Sequence, residues 1–292
     1  MEVFVQIIAT GLTLGAMYAL AAMGLSLVWG ALGMLNMAHG ALMTVGAYLC
    51  YAAIVQLGLP LVFGLPVALI GGAICGAVIY LICTRFLIGR PQFENTVMIA
   101  TFGLGIAIEN GILTLFGAYP TPQPLAVGGD FVIARVHIPF QNLLILCVAI
   151  VLMVAVAALL DRTRMGRAIR ATAQNREAAQ LMGVAVGRVY IQVLAIAGAL
   201  ASAAGVLISS QATLSPSMGG DPMLKAFIIC VVAGLGNVRG AAAAAIVLGV
   251  VEAAAQYLFG VRFGFATLLA IVIIALIWRP YGIFGRQQVV RL

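Results

Sequence analysis

Charge is scarce in this 292-residue chain: 8% of its residues are Asp, Glu, Lys or Arg, against roughly a quarter in a soluble domain. So little charge cannot cover a surface with water-compatible groups. That excludes a soluble globular enzyme, a disordered protein and a nucleic-acid module. Lysine is almost missing, Lys225 standing alone beside fourteen arginines. The arginines lie between apolar runs without interleaved aromatics, so base stacking is not their use.

Catalytic signatures are missing as well. No G-x-x-x-x-G-K-[ST] loop is present to cradle nucleotide phosphates, and neither H-E-x-x-H nor G-x-S-x-G occurs. His39 and His137 stand far apart, without a neighbouring nucleophile or ligand set. The five cysteines all lie in or at the end of apolar runs, which reads as small buried hydrophobes and not as a disulfide framework. Glu2 precedes the first run and no basic n-region leads it, so no cleavable signal peptide is expected.

Hydrophobic residues, in contrast, make up 64% of the chain. At about 20 apolar residues per crossing, that is enough for eight or nine transmembrane helices. The runs fall at roughly 3–29, 37–56, 61–83, 96–117, 140–160, 189–213, 223–238, 241–259 and 263–278. They lack period-2 alternation, so the expected fold is all-α, a polytopic helical membrane protein and not a barrel. Run 223–238 is short, begins with Lys225 and ends in Gly234-Leu235-Gly236-Asn237. It reads as a crossing or as a broken, re-entrant helix. The whole of 1–292 is expected to be a single transmembrane domain.

Residues 161–188 carry Arg162, Arg164, Arg167, Arg170, Arg176 and Arg188 against Asp161 and Glu177, which predicts a cytoplasmic loop. Alternating crossings then put Arg85 and Arg90 inside and residues 118–139 outside. Nine crossings put Arg279, Arg286 and Arg291 inside, with the N-terminus outside. Glycines four apart (Gly11 and Gly15, Gly72 and Gly76, Gly236 and Gly240, Gly260 and Gly264) predict close helix contacts. A faint echo links Gly30 to Gly40 with Ala233 to Gly240, in the manner of paired interrupted helices around a transport site.

Within the basic loop, 167–182 is rich in helix formers and Gly183 stands where a helix would end. The loop serves either to pin orientation or as a coupling helix. In the second case Ala178, Leu181 and Met182 are its apolar contacts, with Arg170, Arg176 and Glu177 around them. Costly polar groups inside crossings are candidate pathway residues: Asn36 and His39 near the second helix start, Glu109 and Asn110 in the fourth, Glu252 and Gln256 in the eighth. Free N–H groups at the second helix start would suit a substrate carboxylate. The alternatives are a structural hydrogen bond for His39 and interhelical bonds for the two carboxyls.

Glu177-Ala178-Ala179-x-x-x-Gly183 is similar to the E-A-A-x-x-x-G pattern of ATP-binding-cassette importer permeases. Gly11 to Leu20, Leu35-Asn36-Met37-Ala38-His39-Gly40, Arg162 to Ala171 and Lys225 to Gly240, with Leu248-Gly249 and Glu252, extend the likeness over nearly the whole chain. The chain resembles the branched-chain amino-acid type of ABC importer permease, nearest the LivH-like subunit. The resemblance implies a non-enzymatic permease in a bacterial inner membrane, forming half of a translocation pathway with a second permease subunit. ATP is used by partner ATPases docked at Arg170, Arg176, Glu177, Ala178, Ala179, Leu181, Met182 and Gly183, and the chain itself holds no cofactor. A binding protein outside the membrane delivers the ligand to 118–139 and 214–222. The family commonly places an acidic residue after His-Gly, where this chain has Ala41, which opens the ligand to other small amides or amino acids. The reading from another class is an ion-coupled secondary transporter or channel.

Overall fold

The structure is a computed structural model that describes residues 2–125, 128–133 and 136–285. Arg286 and Arg291 lie outside the described residues. The helix α1 spans Glu2–Leu32 and ends at Gly33, whose φ of 64° is open to glycine and strained for other residues. An extended stretch leads to α2, His39–Tyr51, which continues through one wide π turn at Ala52–Gln56. A 3₁₀ turn at Leu61–Phe63 opens α3, Gly64–Ile79, and a second π turn joins it to α4, Arg85–Leu87. Next come α5, Phe93–Phe116, and the short strands β1, Thr121–Pro122, β2, Asp130–Ile133, and β3, Val136–Pro139. The chain goes on as α6, Phe140–Arg162, α7, Arg164–Gln174, α8, Arg176–Leu181, and α9, Val186–Ser209. After β4, Thr213–Leu214, it ends in α10, Gly220–Ala233, α11, Val238–Phe259, and α12, Phe263–Trp278.

The protein is an all-α polytopic membrane protein. Among the described residues, six helical stretches are long and apolar enough to cross a bilayer: Glu2–Leu32, Leu61–Leu87, Phe93–Phe116, Phe140–Arg162, Val186–Ser209 and Val238–Phe259. The other three apolar runs fall on α2, α10 and α12. With 14 residues, α10 rises only about 20 Å, short of a hydrocarbon core about 30 Å thick; α2, with 13 residues, runs on through the π turn to Gln56. Within run 223–238, which reads as a crossing or as a broken helix, α10 ends before Gly234, whose φ is 97°. Among the described residues, two small antiparallel ladders, β1 with β4 and β2 with β3, were not foreseen from the sequence and involve only short segments between helices.

Glycine contacts hold the bundle together where lipid supplies no hydrophobic drive. Gly11 and Gly15 of α1 lie against Val250 and Ala245–Ile246 of the antiparallel α11, and Gly72 and Gly76 of α3 lie against Gly198 and Leu194 of α9. The other two expected pairs serve differently. Gly236 and Gly260 have positive φ and form turns. The sequence echo does not mark a structural repeat either. Instead Gly30 meets Gly236, and a Cβ on Gly30 would stand 3.1 Å from the Gly236 carbonyl oxygen.

A different repeat is present. The helix α1 packs on α11 as α9 packs on α3, α2 packs on α9 as α10 packs on α1, and α2 packs on α3 and α5 as α10 packs on α11 and α12. The C-terminal end of α1 clusters with the N-terminal end of α9, through Leu27, Val28 and Ala31 against Val189, Val193 and Leu194. The two halves therefore run in opposite directions. Each consists of a long helix, an irregular stretch and a half-length helix that starts inside the bundle. The two half-helices begin beside each other, Gly40 of α2 against the Gly219 carbonyl before α10.

Candidate functional site

At the arginine-rich end, Thr163 caps α7 by accepting from the Gly166 N–H at 3.0 Å. The expected single helix over 167–182 is broken at Asn175, an extended residue that ends α7 and caps α8 by accepting from the Ala178 N–H at 2.9 Å. Helix propensity favours continuity here, but a side-chain amide that bonds the next turn competes with it. Past Met182, Gly183 takes a φ of 84°, and the Val184 N–H returns to the Ala179 carbonyl at 3.0 Å. This closes α8 as glycine-ended helices close.

The closure decides what faces outward. Ala179 is buried, whereas Glu177 and Ala178 are exposed, and Leu181 and Met182 are 89% and 85% exposed. Arg170 and Arg176 fasten the segment to the body. Arg170 donates to the Leu160 carbonyl of α6, and the Arg176 guanidinium lies 5.9 Å from the centroid of the Tyr190 ring. Arg239 at the start of α11 pairs with Asp161 at the end of α6. These elements surround a cavity of about 1070 Å³, walled by Trp29 to Gly33, by Arg170 to Arg176 and by Leu235 to Arg239.

Among the membrane candidates, Asn36 and His39 come together at the start of α2. The Asn36 Oδ1 accepts from the Ala38 N–H at 3.1 Å, and the Met37 N–H donates to Thr101 Oγ1 of α5 at 3.0 Å. The His39 N–H donates to the Asn36 carbonyl at 3.2 Å. Three backbone donors of this helix start are thus satisfied internally. The His39 ring is fully buried, and its Nε2 donates to the Ala21 carbonyl of α1 at 3.1 Å.

Glu252 belongs to a separate cluster. Fully buried, it accepts through Oε1 from Lys225 Nζ of α10 at 2.6 Å and from Gln256 Nε2 at 3.0 Å. Lys225 also donates to the Tyr18 hydroxyl of α1 at 2.9 Å. Glu109 and Asn110 join neither group. They sit on α5, where Asn110 is exposed and its amide turns back to the Ile106 carbonyl at 2.8 Å. Sequence reasoning missed Tyr18, Thr101 and the pairing of Lys225. The one available signal was a single lysine in an apolar run.

An antiparallel bundle of long apolar helices, with two half-helices that begin in its interior, defines a membrane-embedded transport protein. Residues 7–278 match the family described as branched-chain amino acid transport system permease component, and the chain belongs to that family. It is 29% identical to the high-affinity branched-chain amino acid transport system permease protein BraD of Pseudomonas aeruginosa, over 98% of this chain and 97% of that protein. It is 30% identical to the corresponding LivH protein of Escherichia coli K12, with the same coverage of each chain. The probable branched-chain amino acid transport permease protein LivH of Methanocaldococcus jannaschii is 31% identical, over 91% of this chain and 88% of that one. The chain is a transport permease, as its sequence implies, and these relatives are permeases, not enzymes.

Proposed function

We propose that this permease forms half of an import pathway for branched-chain or related hydrophobic or amide amino acids, with a second permease subunit forming the other half. Partner ATPases supply the work by pressing on α8. A binding protein outside the membrane delivers the ligand to 118–139 and 214–222. On this reading the chain crosses a bacterial inner membrane nine times, with the irregular stretches before α2 and α10 completing two of the crossings. Its N-terminus is outside and the arginine-rich end is cytoplasmic.

One observation carries the proposal. A short capped helix, fastened from behind by Arg170 and Arg176, presents Leu181 and Met182 almost wholly to solvent beside Glu177. Large apolar side chains held rigidly in water are the anchors that a partner groove takes up. The chain carries no phosphate-cradling loop of its own, which supports an ATPase as that partner.

The test replaces Leu181 and Met182 with Glu. Both side chains are exposed, so insertion and folding should change by no more than about 0.5 kcal/mol. ATPase co-purification and uptake should be lost together. Retained co-purification of the ATPases in the double variant would refute the docking site.

A further inference from the structure

Tyr18, Lys225, Glu252 and Gln256 form a charged cluster at the junction of α1, α10 and α11. Its chemistry is incomplete. Glu252 is fully buried, and while Oε1 accepts from Lys225 and Gln256, Oε2 has no hydrogen-bond partner among the described residues. Lys225 has three N–H donors. Two go to Glu252 and Tyr18, and its side chain keeps 18% exposure. One buried anionic acceptor and one cationic donor are therefore left over, on neighbouring helices.

Such a pair is a poor device for stability alone. A buried ion pair is often no better than an apolar pair of the same shape, and an ionisable group at membrane depth marks a functional site by default. The opposite half of the bundle shows that the fold does not require it. There α2 and α3, the counterparts of α10 and α11, carry no Asp, Glu, Lys or Arg, and the contact equivalent to α10 on α1 includes an uncharged bond, Ser202 Oγ of α9 donating to the Leu42 carbonyl of α2 at 3.0 Å.

We propose that Lys225 and Glu252 bind the zwitterionic head of the transported amino acid. The α-carboxylate accepts from Lys225, the α-ammonium donates to Glu252 Oε2, and the Tyr18 hydroxyl and Gln256 amide border the site. In the structure the two residues pair through Glu252 Oε1 alone and the site is closed to substrate. Substrate enters when the half-helix α10 draws away from α11, so that one internal ion pair is exchanged for two with the ligand. The head is common to all α-amino acids, so this site selects the class and leaves the side chain to the rest of the pathway. The inference rests on the import role proposed above.

The test uses the complete transport system in vesicles, with labelled leucine as the probe and three variants, Lys225→Met, Glu252→Gln and the double variant. Either single change leaves a charge buried without its partner and lowers both protein yield and uptake. The double variant removes both charges at nearly constant shape. It should restore yield and binding-protein-stimulated ATP hydrolysis to within about twofold of the parent, while leucine uptake stays down at least about tenfold. Recovery of uptake in the double variant would overturn the proposal and reduce the pair to a latch. Loss of ATP hydrolysis in the double variant would also overturn it, because the pair would then serve the coupling machinery. A parent system that moves no leucine fails the substrate assignment made above, a result separate from either of these.

Discussion

Gly249 of α11 and Gly15 of α1 lie so close that a Cβ on Gly249 would stand 2.5 Å from the Gly15 Cα. Backbone meets backbone there, and no flexible side chain can yield. Replacing Gly249 with Leu should force the two helices apart and cost about 1–3 kcal/mol or more, read as a lower unfolding midpoint in detergent. Gly103 of α5 supplies the control. A Cβ there meets nothing within 4 Å, so Gly103→Ala should leave the midpoint unchanged or slightly raised.

The break between α7 and α8 is held by one side chain. Asn175→Ala removes the cap on α8 and should cost about 1 kcal/mol locally. Amide exchange over 176–181 should quicken by about fivefold while exchange in the spanning helices stays constant. Uniform quickening through the bundle would contradict so local a role.

At Gly183 the backbone, not the space, is the constraint. A Cβ there meets no neighbour, but φ is 84°. Gly183→Ala should therefore cost about 1 kcal/mol from strain alone. Gly183→Asn should cost less, since Asn tolerates the left-handed region better. Equal effects of the two substitutions on thermal unfolding would point to a steric cause instead.

Asp161 and Arg239 join the ends of α6 and α11, with both side chains substantially exposed. Exposed pairs contribute at most about 1 kcal/mol and weaken with salt. Asp161→Asn should shift the unfolding midpoint only slightly at low ionic strength and not at all in 1 M salt.

The direction of insertion can be read by labelling single cysteines in a cysteine-free background. A cysteine at Leu181 should react with a membrane-impermeant reagent only from the cytoplasmic side, and one at Tyr119 only from outside. Both residues are more than four-fifths exposed. Labelling of both from one side would invert or break the proposed topology.

Apolar length made most of the fold legible, because a bilayer imposes it one segment at a time. Each of the nine runs falls on a helix, and the break at Gly33 and the end at Gly183 follow from local glycine chemistry. Contacts between distant segments were another matter. Nothing in the spacing of Lys225 and Glu252 says that their helices are neighbours. The resemblance between Gly30–Gly40 and Ala233–Gly240 reflects two turns that touch, not two copies of one unit. Asn175 interrupts a run of strong helix formers because its own amide offers the chain a competing bond, a preference that summed propensities hide. Glu109 and Asn110 were grouped with the other polar candidates by type, yet α5 carries them away from both clusters.

The two opposed halves of this bundle share one backbone plan, but among the described residues only one of them carries a buried ion pair, Lys225 with Glu252. If the halves trade shapes, an opening at one membrane face becomes an opening at the other without any new architecture. The Lys225–Glu252 pair makes those two conditions chemically unequal, although the two halves trace nearly the same path.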